Sequence, residues 1–176
     1  SVNGGINFES LDRPLRVSST VLVPVGECNF NDVTFQYSLG AQRRVSGSLA
    51  LQVGEFYDGT ITTVRYSRGR ISVLDQLSLE PSVSYNDVKL PAGDFTTALV
   101  GLRADYAFSP LMFVGGLVQY DSDSDSFSTN LRFRWEYAPG SEFFAVYTDE
   151  RSTLGSGIPE LETRAFVLKI NRLLRF

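Results

Sequence analysis

The sequence predicts an almost all-β fold, an antiparallel meander of about 10–12 strands forming all or part of a barrel. Two observations carry that expectation. Apolar and polar residues alternate with a period of two almost from end to end, and Ser, Thr, Val, Phe, Tyr and Gly together make up nearly half of the chain while Met occurs once. That usage suits pleated sheet and tight turns. The stretch FSTNLRFRWEY shows the pattern: Phe127, Thr129, Leu131, Phe133, Trp135 and Tyr137 alternate with Ser128, Asn130, Arg132, Arg134 and Glu136. Successive strand residues point to opposite faces, so one face must meet something apolar and the other something wet.

The elements follow in order. Val2, Gly4, Ile6 and Phe8 share one face of a first strand, and Leu15, Val17, Val21 and Val23 mark a second. Val33, Phe35, Tyr37, Leu39 and Ala41 oppose Thr34, Gln36, Ser38, Gly40 and Gln42 in a third. Val45, Leu49, Leu51 and Val53 come next, then a weaker Val64 and Tyr66. Leu77, Leu79, Val83 and Tyr85 oppose Ser78, Glu80, Ser82, Ser84 and Asn86, while Ala98, Val100, Leu102, Ala104, Tyr106 and Phe108 oppose Thr97, Arg103 and Asp105. Residues 111–120 and 142–148 are apolar on both faces and flank the strand at 127–137. A last strand sets Phe166, Leu168, Ile170, Leu174 and Phe176 against Thr163, Lys169, Asn171 and Arg175. The count is about eleven strands in a single domain over 1–176, joined by hairpin-length connections, with no switch to a helical period.

Composition excludes several functions. With 43% hydrophobic and 20% charged residues the chain is too apolar for disorder, and a net charge of −4 without a basic stripe argues against a nucleic-acid partner. Histidine is absent and Cys28 is the one cysteine, which removes the commonest general base, the usual zinc ligands and any intrachain disulfide. An enzyme is therefore not expected, nor any cofactor. No apolar run approaches the length of a membrane helix, and SVNGG does not open like a signal sequence, which reads as a mature chain or a fragment. A membrane barrel would escape both tests, because its strands are short and half polar.

The alternation serves a soluble barrel with its apolar face inward as well as an outer-membrane barrel with that face toward lipid. Two features favour the second. Connections read in order are SLDRP, VGECNFN, QRR, EFYDG, SRGRISVLDQ, DVKLPAGD, FSP, DSDSDS, APGS and TDERSTLGSGIPE, with short and long ones tending to alternate. Short turns belong to the periplasmic end of such barrels and long loops to the outer end. Aromatics gather at two levels: Tyr106, Phe108, Phe113, Trp135, Tyr137 and Phe143 near FSP and APGS, and Tyr85, Tyr120 and Tyr147 toward the other end. Two aromatic girdles suit the two interfaces of a bilayer.

At these residues the chain resembles a family. Its end, with Leu168, Ile170, Leu174 and Phe176 at alternate positions, resembles the terminal signal by which outer-membrane proteins are recognised for barrel insertion, although Arg172 stands where that signal is more often apolar. FYDGT at 56–60, LPAGDFTT at 90–97, LRADYAFSP at 102–110 and VQYDSDSDSFSTNLRFRWEYAPGSEFFAVYTDER at 118–151 resemble the C-terminal barrel region of large bacterial outer-membrane proteins. Full-length members of that family carry an N-terminal module similar to family-nine carbohydrate-binding domains, of which this chain contains no part. The likeness spans roughly residues 25–176. It implies a bacterial outer-membrane location, with lipid and the barrel-insertion machinery as partners. Bacterial single-chain barrels have an even number of strands, so the odd count means either that one strand is miscounted or that upstream strands or other chains complete the barrel.

Candidate lumen residues are Glu80, Arg103, Asp105, Arg132, Arg134, Glu136, Arg164, Lys169 and Arg175, which could orient a polar solute or form a ladder of cross-strand pairs. Asp121, Asp123 and Asp125 offer three carboxylates of suitable charge for Ca²⁺, but without the glycine turn and distal acid of a calcium loop they read as a solvated outer loop. Cys28 is expected in another outer loop, without a function. The resulting expectation is a porin-like channel or surface scaffold for small polar solutes, saccharides among them by family analogy. A structural barrel within a larger surface complex, a soluble lipocalin-like binder and a surface hydrolase built on Ser and Asp are the alternatives.

Overall fold

The computed structural model describes residues 1–16, 21–40, 42–155 and 159–173. These form strands and turns, with no helix among them. The strands are β1 (Val2–Leu11), β2 (Leu15–Arg16), β3 (Leu22–Val23), β4 (Gly26–Leu39), β5 (Val45–Phe56), β6 (Gly59–Leu74), β7 (Leu77–Leu90), β8 (Gly93–Ser109), β9 (Met112–Asp121), β10 (Ser126–Ala138), β11 (Ser141–Ser152) and β12 (Glu160–Asn171). Ten of them make one antiparallel sheet in the order β1-β4-β5-β6-β7-β8-β9-β10-β11-β12. β2 and β3 pair with each other as a separate small hairpin.

The hairpin corrects the expectation of one strand from Leu15 to Val23. Pro14 and Pro24 bound that segment, and proline can neither donate to a ladder nor leave its fixed φ, so the segment cannot extend into the main sheet. The main sheet thus has an even number of strands, and Ser1 lies at the same end as Leu173, where an odd count would have put them apart. That end also carries the connections 40–44, 75–76, 110–111 and 139–140; the opposite end carries 12–25, 57–58, 91–92, 122–125 and 153–159.

Loop sorting is weaker than the sequence suggested. SRGRISVLDQ is mostly strand, since β6 runs to Leu74, and DVKLPAGD shrinks to the turn Pro91-Ala92. In β6 the register shifts between Tyr66 and Ile71, with Arg68 at φ 53°. An extra residue there reverses which face odd residues occupy, so the period-two pattern breaks without the strand ending. Long connections remain only at 12–25 and 153–159.

Register defines two faces. Starting from Leu131, the pairs Leu131↔Gly116, Val118↔Leu102, Val100↔Val83, Tyr85↔Val64, Leu51↔Phe35 and Leu131↔Tyr147 join one apolar face across the sheet. Arg132, Arg103, Glu80, Arg65, Gln52 and Thr34 lie on the other. Accessibility runs opposite to that of a soluble protein: along β4 Thr34 and Gln36 are half-buried, while Val33, Phe35 and Tyr37 are exposed at 42%, 50% and 64%. Among the described residues no second layer covers the polar face beyond the β2–β3 hairpin, so its shelter means that the sheet curls toward it.

The buried core is small: Val21, Val23, Tyr57, Val88 and Leu90, with Leu11, Cys28, Phe56, Ile61 and Phe95 packed against it. It forms where the hairpin folds onto the polar face. Cys28 therefore lies in β4 beneath the hairpin, a correction to its expected place in a loop. The total accessible area is 12143 Å². A compact soluble chain of 19.5 kDa would expose about 8,500 Å².

Candidate functional site

The polar face is built by alternate residues of neighbouring strands. Asn86 of β7 bridges β6 and β8, accepting from Thr63 Oγ1 at 2.9 Å and donating to Thr97 Oγ1 at 2.9 Å. Gln36 donates to Ser48 at 2.7 Å, and Asn130 donates to Thr148 at 2.9 Å. Such rungs satisfy polar groups that the curl partly removes from water. Next to the first rung is an open cleft of about 460 Å³ lined by Gln52, Phe56, Thr63, Arg65, Asn86 and Thr97 among others.

The charged candidates divide. Glu80 stands opposite Arg103, whose Nε donates to Asp105 Oδ2 at 2.7 Å. Arg134 pairs with Glu142, and its guanidinium lies 5.6 Å from the Phe113 ring centroid and 5.7 Å from that of Phe144. Phe113 thus belongs to the polar face, where it flanks a cation, and is no part of an aromatic girdle as expected from sequence. Glu136 accepts from the Gly140 amide at 3.0 Å and so holds the 139–140 turn. Arg132 and Lys169 share the polar face without an ion pair among the described residues. Arg65, opposite Ser84 and Ala50, also lies on this face, as do Asp32 and Glu150, and the shortness of its recognisable strand hid Arg65 in the sequence.

Arg164 is a correction. It pairs in register with Asp149 on the apolar face, in line with Phe166, Leu168 and Ile170. The alternation of β12 already required this, since even positions share one face. Arg175, Leu174 and Phe176 lie outside the described residues, as do Val17 and Ala41, so the terminal signal keeps only Leu168 and Ile170 within them.

Tyr85, Tyr106, Phe108, Tyr120, Trp135, Tyr137 and Tyr147 all belong to the apolar face. Tyr106 meets Phe108 edge-on at 4.8 Å and Trp135 meets Tyr137 at 5.9 Å, both pairs near the end that holds Ser1 and Leu173. Beside them Met112, Phe133, Trp135, Tyr137, Phe143 and Ile170 line a wholly apolar groove. Toward the other end the apolar face gives way to a polar hem: Asn31, Glu55, Thr62, Asp87, Lys89, Thr96, Asp149 and Arg164 succeed the last apolar residue of their strands. Asp121 ends β9, and its Oδ1 accepts from the Asp123 amide at 2.9 Å, while Asp125 sits in the turn at φ 46°. Among the described residues no three metal-ligating side chains converge.

Tyr57 occupies the β5–β6 turn at φ 52°, a conformation that side chains rarely adopt. Contacts hold it there: its hydroxyl donates to Glu9 Oε2 at 2.9 Å, and its ring packs on Phe30 and Phe56. Burial, with the hydrogen bond to Glu9 behind it, pushes its pKa up to about 12. No family model, curated protein or solved structure matches the chain.

Proposed function

We propose that the chain forms an outer-membrane β-barrel, or the C-terminal part of one, whose apolar face meets lipid and whose polar face lines a lumen. It serves as a porin-like channel or surface scaffold for small polar solutes. The inverted accessibility carries this reading: large hydrophobic side chains along the strands, such as Phe35, Tyr37, Leu131 and Trp135, are exposed, and the total area exceeds that of a compact soluble chain. Apolar strand segments such as Leu77–Tyr85 and Met112–Tyr120 have the length that a tilted strand needs to cross a bilayer, about 9–11 residues. Saccharides enter as candidate solutes through the motif resemblance alone, and hydroxyl and amide rungs such as Thr63–Asn86–Thr97 suit them in chemistry.

Reconstitution tests it. Trp135 fluorescence should be quenched by brominated acyl chains, and the lumen should conduct in planar bilayers. A chain that stays monodisperse without detergent and shows no quenching would instead be a soluble binder. A second reading, an anchoring barrel with a closed lumen, draws on the hairpin whose Val21 and Val23 pack into the polar face. Quenching without conductance would favour it.

A further inference from the structure

We infer that the apolar face carries, at its polar hem, a site for the phosphate of an anionic lipid headgroup, built by Arg151 and Arg164 around Asp149. The inference rests on the membrane reading above. On β11 the apolar-face positions run Phe143, Ala145 and Tyr147, then Asp149 and Arg151; on β12 they run Ile170, Leu168 and Phe166, then Arg164. Charge on a lipid-facing surface is costly at mid-depth and nearly free at the interface, so this is the level at which headgroups would lie.

The cluster has more positive charge than it uses. Asp149 is 4% exposed and accepts from Tyr147 Oη at 2.9 Å, Arg151 Nε at 2.6 Å and Arg164 Nε at 3.0 Å, with Arg164 Nη2 also within 2.9 Å. One carboxylate thus faces two guanidiniums. Both Nη groups of Arg151 and Nη1 of Arg164 have no protein partner among the described residues, and Glu160 and Glu162, just before Arg164 on β12, form no ion pair with it there. The two side chains keep 32% and 49% of their area accessible. Asp149 fixes both, so little side-chain freedom remains to be lost on binding.

A monoanionic phosphodiester complements this arrangement. Its oxygens would accept the free Nη groups, and its charge would balance the surplus of one. Phe127, opposite Arg151, and Phe166, Leu168 and Ile170 below Arg164 offer an apolar track for acyl chains. A soluble anion would gain the same polar contacts and nothing from the track.

The test uses the chain refolded in detergent, with lipids retained on it counted by native mass spectrometry. Phosphatidylglycerol should be retained in preference to phosphatidylcholine, and Arg151→Gln with Arg164→Gln should reduce that retention on the order of tenfold or more. Adding Asp149→Asn to that pair removes the carboxylate left without a cation and should give the same loss. Arg132→Gln with Lys169→Gln removes two cations from the polar face and should leave retention unchanged. Equal retention by the wild type and the Arg151/Arg164 variant overturns the site. Displacement of the lipid by millimolar inorganic phosphate does so too, by making it a soluble-anion site. Trp135 quenching separates the two levels: quenching without headgroup preference defeats this inference alone, and its absence defeats the membrane reading along with it.

Discussion

Leu131 and Arg132 are neighbours in sequence and opposites in environment. Leu131 lies mid-strand on the apolar face, 45% exposed, and Arg132 on the sheltered polar face. In the bilayer reading Leu131→Arg puts charge at lipid depth and should cost about 2–4 kcal/mol in refolding into vesicles. Arg132→Leu should leave insertion intact and alter ion selectivity. Equal tolerance of the two substitutions would refute this assignment of the faces. Tyr57 makes a different kind of prediction, since its hydroxyl holds its proton to a higher pH folded than unfolded. Its contribution is complete below pH 10 and is lost as pH rises from about 10 toward 12, because the unfolded chain ionises first. Tyr57→Phe should flatten the stability profile in that window, as followed by urea titrations at stepped pH.

The β2–β3 hairpin is the element that sequence periodicity misread and that, in the channel reading, matters most for passage. It closes over Val88, Leu90, Phe95 and Ile61, so the polar face at this end is covered by apolar side chains. Val21→Asp with Val23→Asp would place carboxylates in that apolar contact, where burying a charge without a partner is unfavourable, and should release the hairpin. Single-channel conductance should rise; an unchanged conductance would mean that the hairpin stands clear of the conduction path. Bulges do the opposite service elsewhere, extending β6 past the point where its alternation fails. Tyr66 covers two glycines there: a Cβ on Gly47 or Gly69 would lie 2.6 or 2.5 Å from its ring, and its hydroxyl donates to Ser46 O at 2.8 Å.

Both edges of the sheet are open. Among the described residues β1 pairs with β4 alone and β12 with β11 alone, and every residue of β12 is exposed. Unpaired backbone groups cannot remain in lipid, so in a membrane these edges must meet each other, further strands or another chain. Amide hydrogen exchange of the chain in detergent reads this directly. With open edges β1 and β12 should exchange at least about tenfold faster than β6 to β8, whose backbone is paired on both sides. Uniform protection would mean that the edges are paired and the barrel is closed.

The period-two pattern was enough to specify most of the strands and their faces, because a pleated strand allows one alternation and its cross-strand neighbours must match it. On that basis Glu80, Arg103, Asp105, Arg132, Arg134, Glu136 and Lys169 were legible as sharing one face. Which partner each charge takes was not, since pairing depends on register: Arg134 turns to Glu142 and two phenyl rings, and Glu136 to a turn amide. Nor could local pattern place Cys28 under a hairpin or Arg65 on the polar face, because a bulge or a proline-bounded segment breaks the periodicity that sequence reading relies on. The direction of curl is the largest such case. The same alternation fits apolar-in and apolar-out, and only the shelter of Thr34 and Gln36 beside the exposure of Phe35 and Tyr37 distinguishes them. Curl is set by twist and bulges summed over ten strands, a long-range quantity that no single strand encodes.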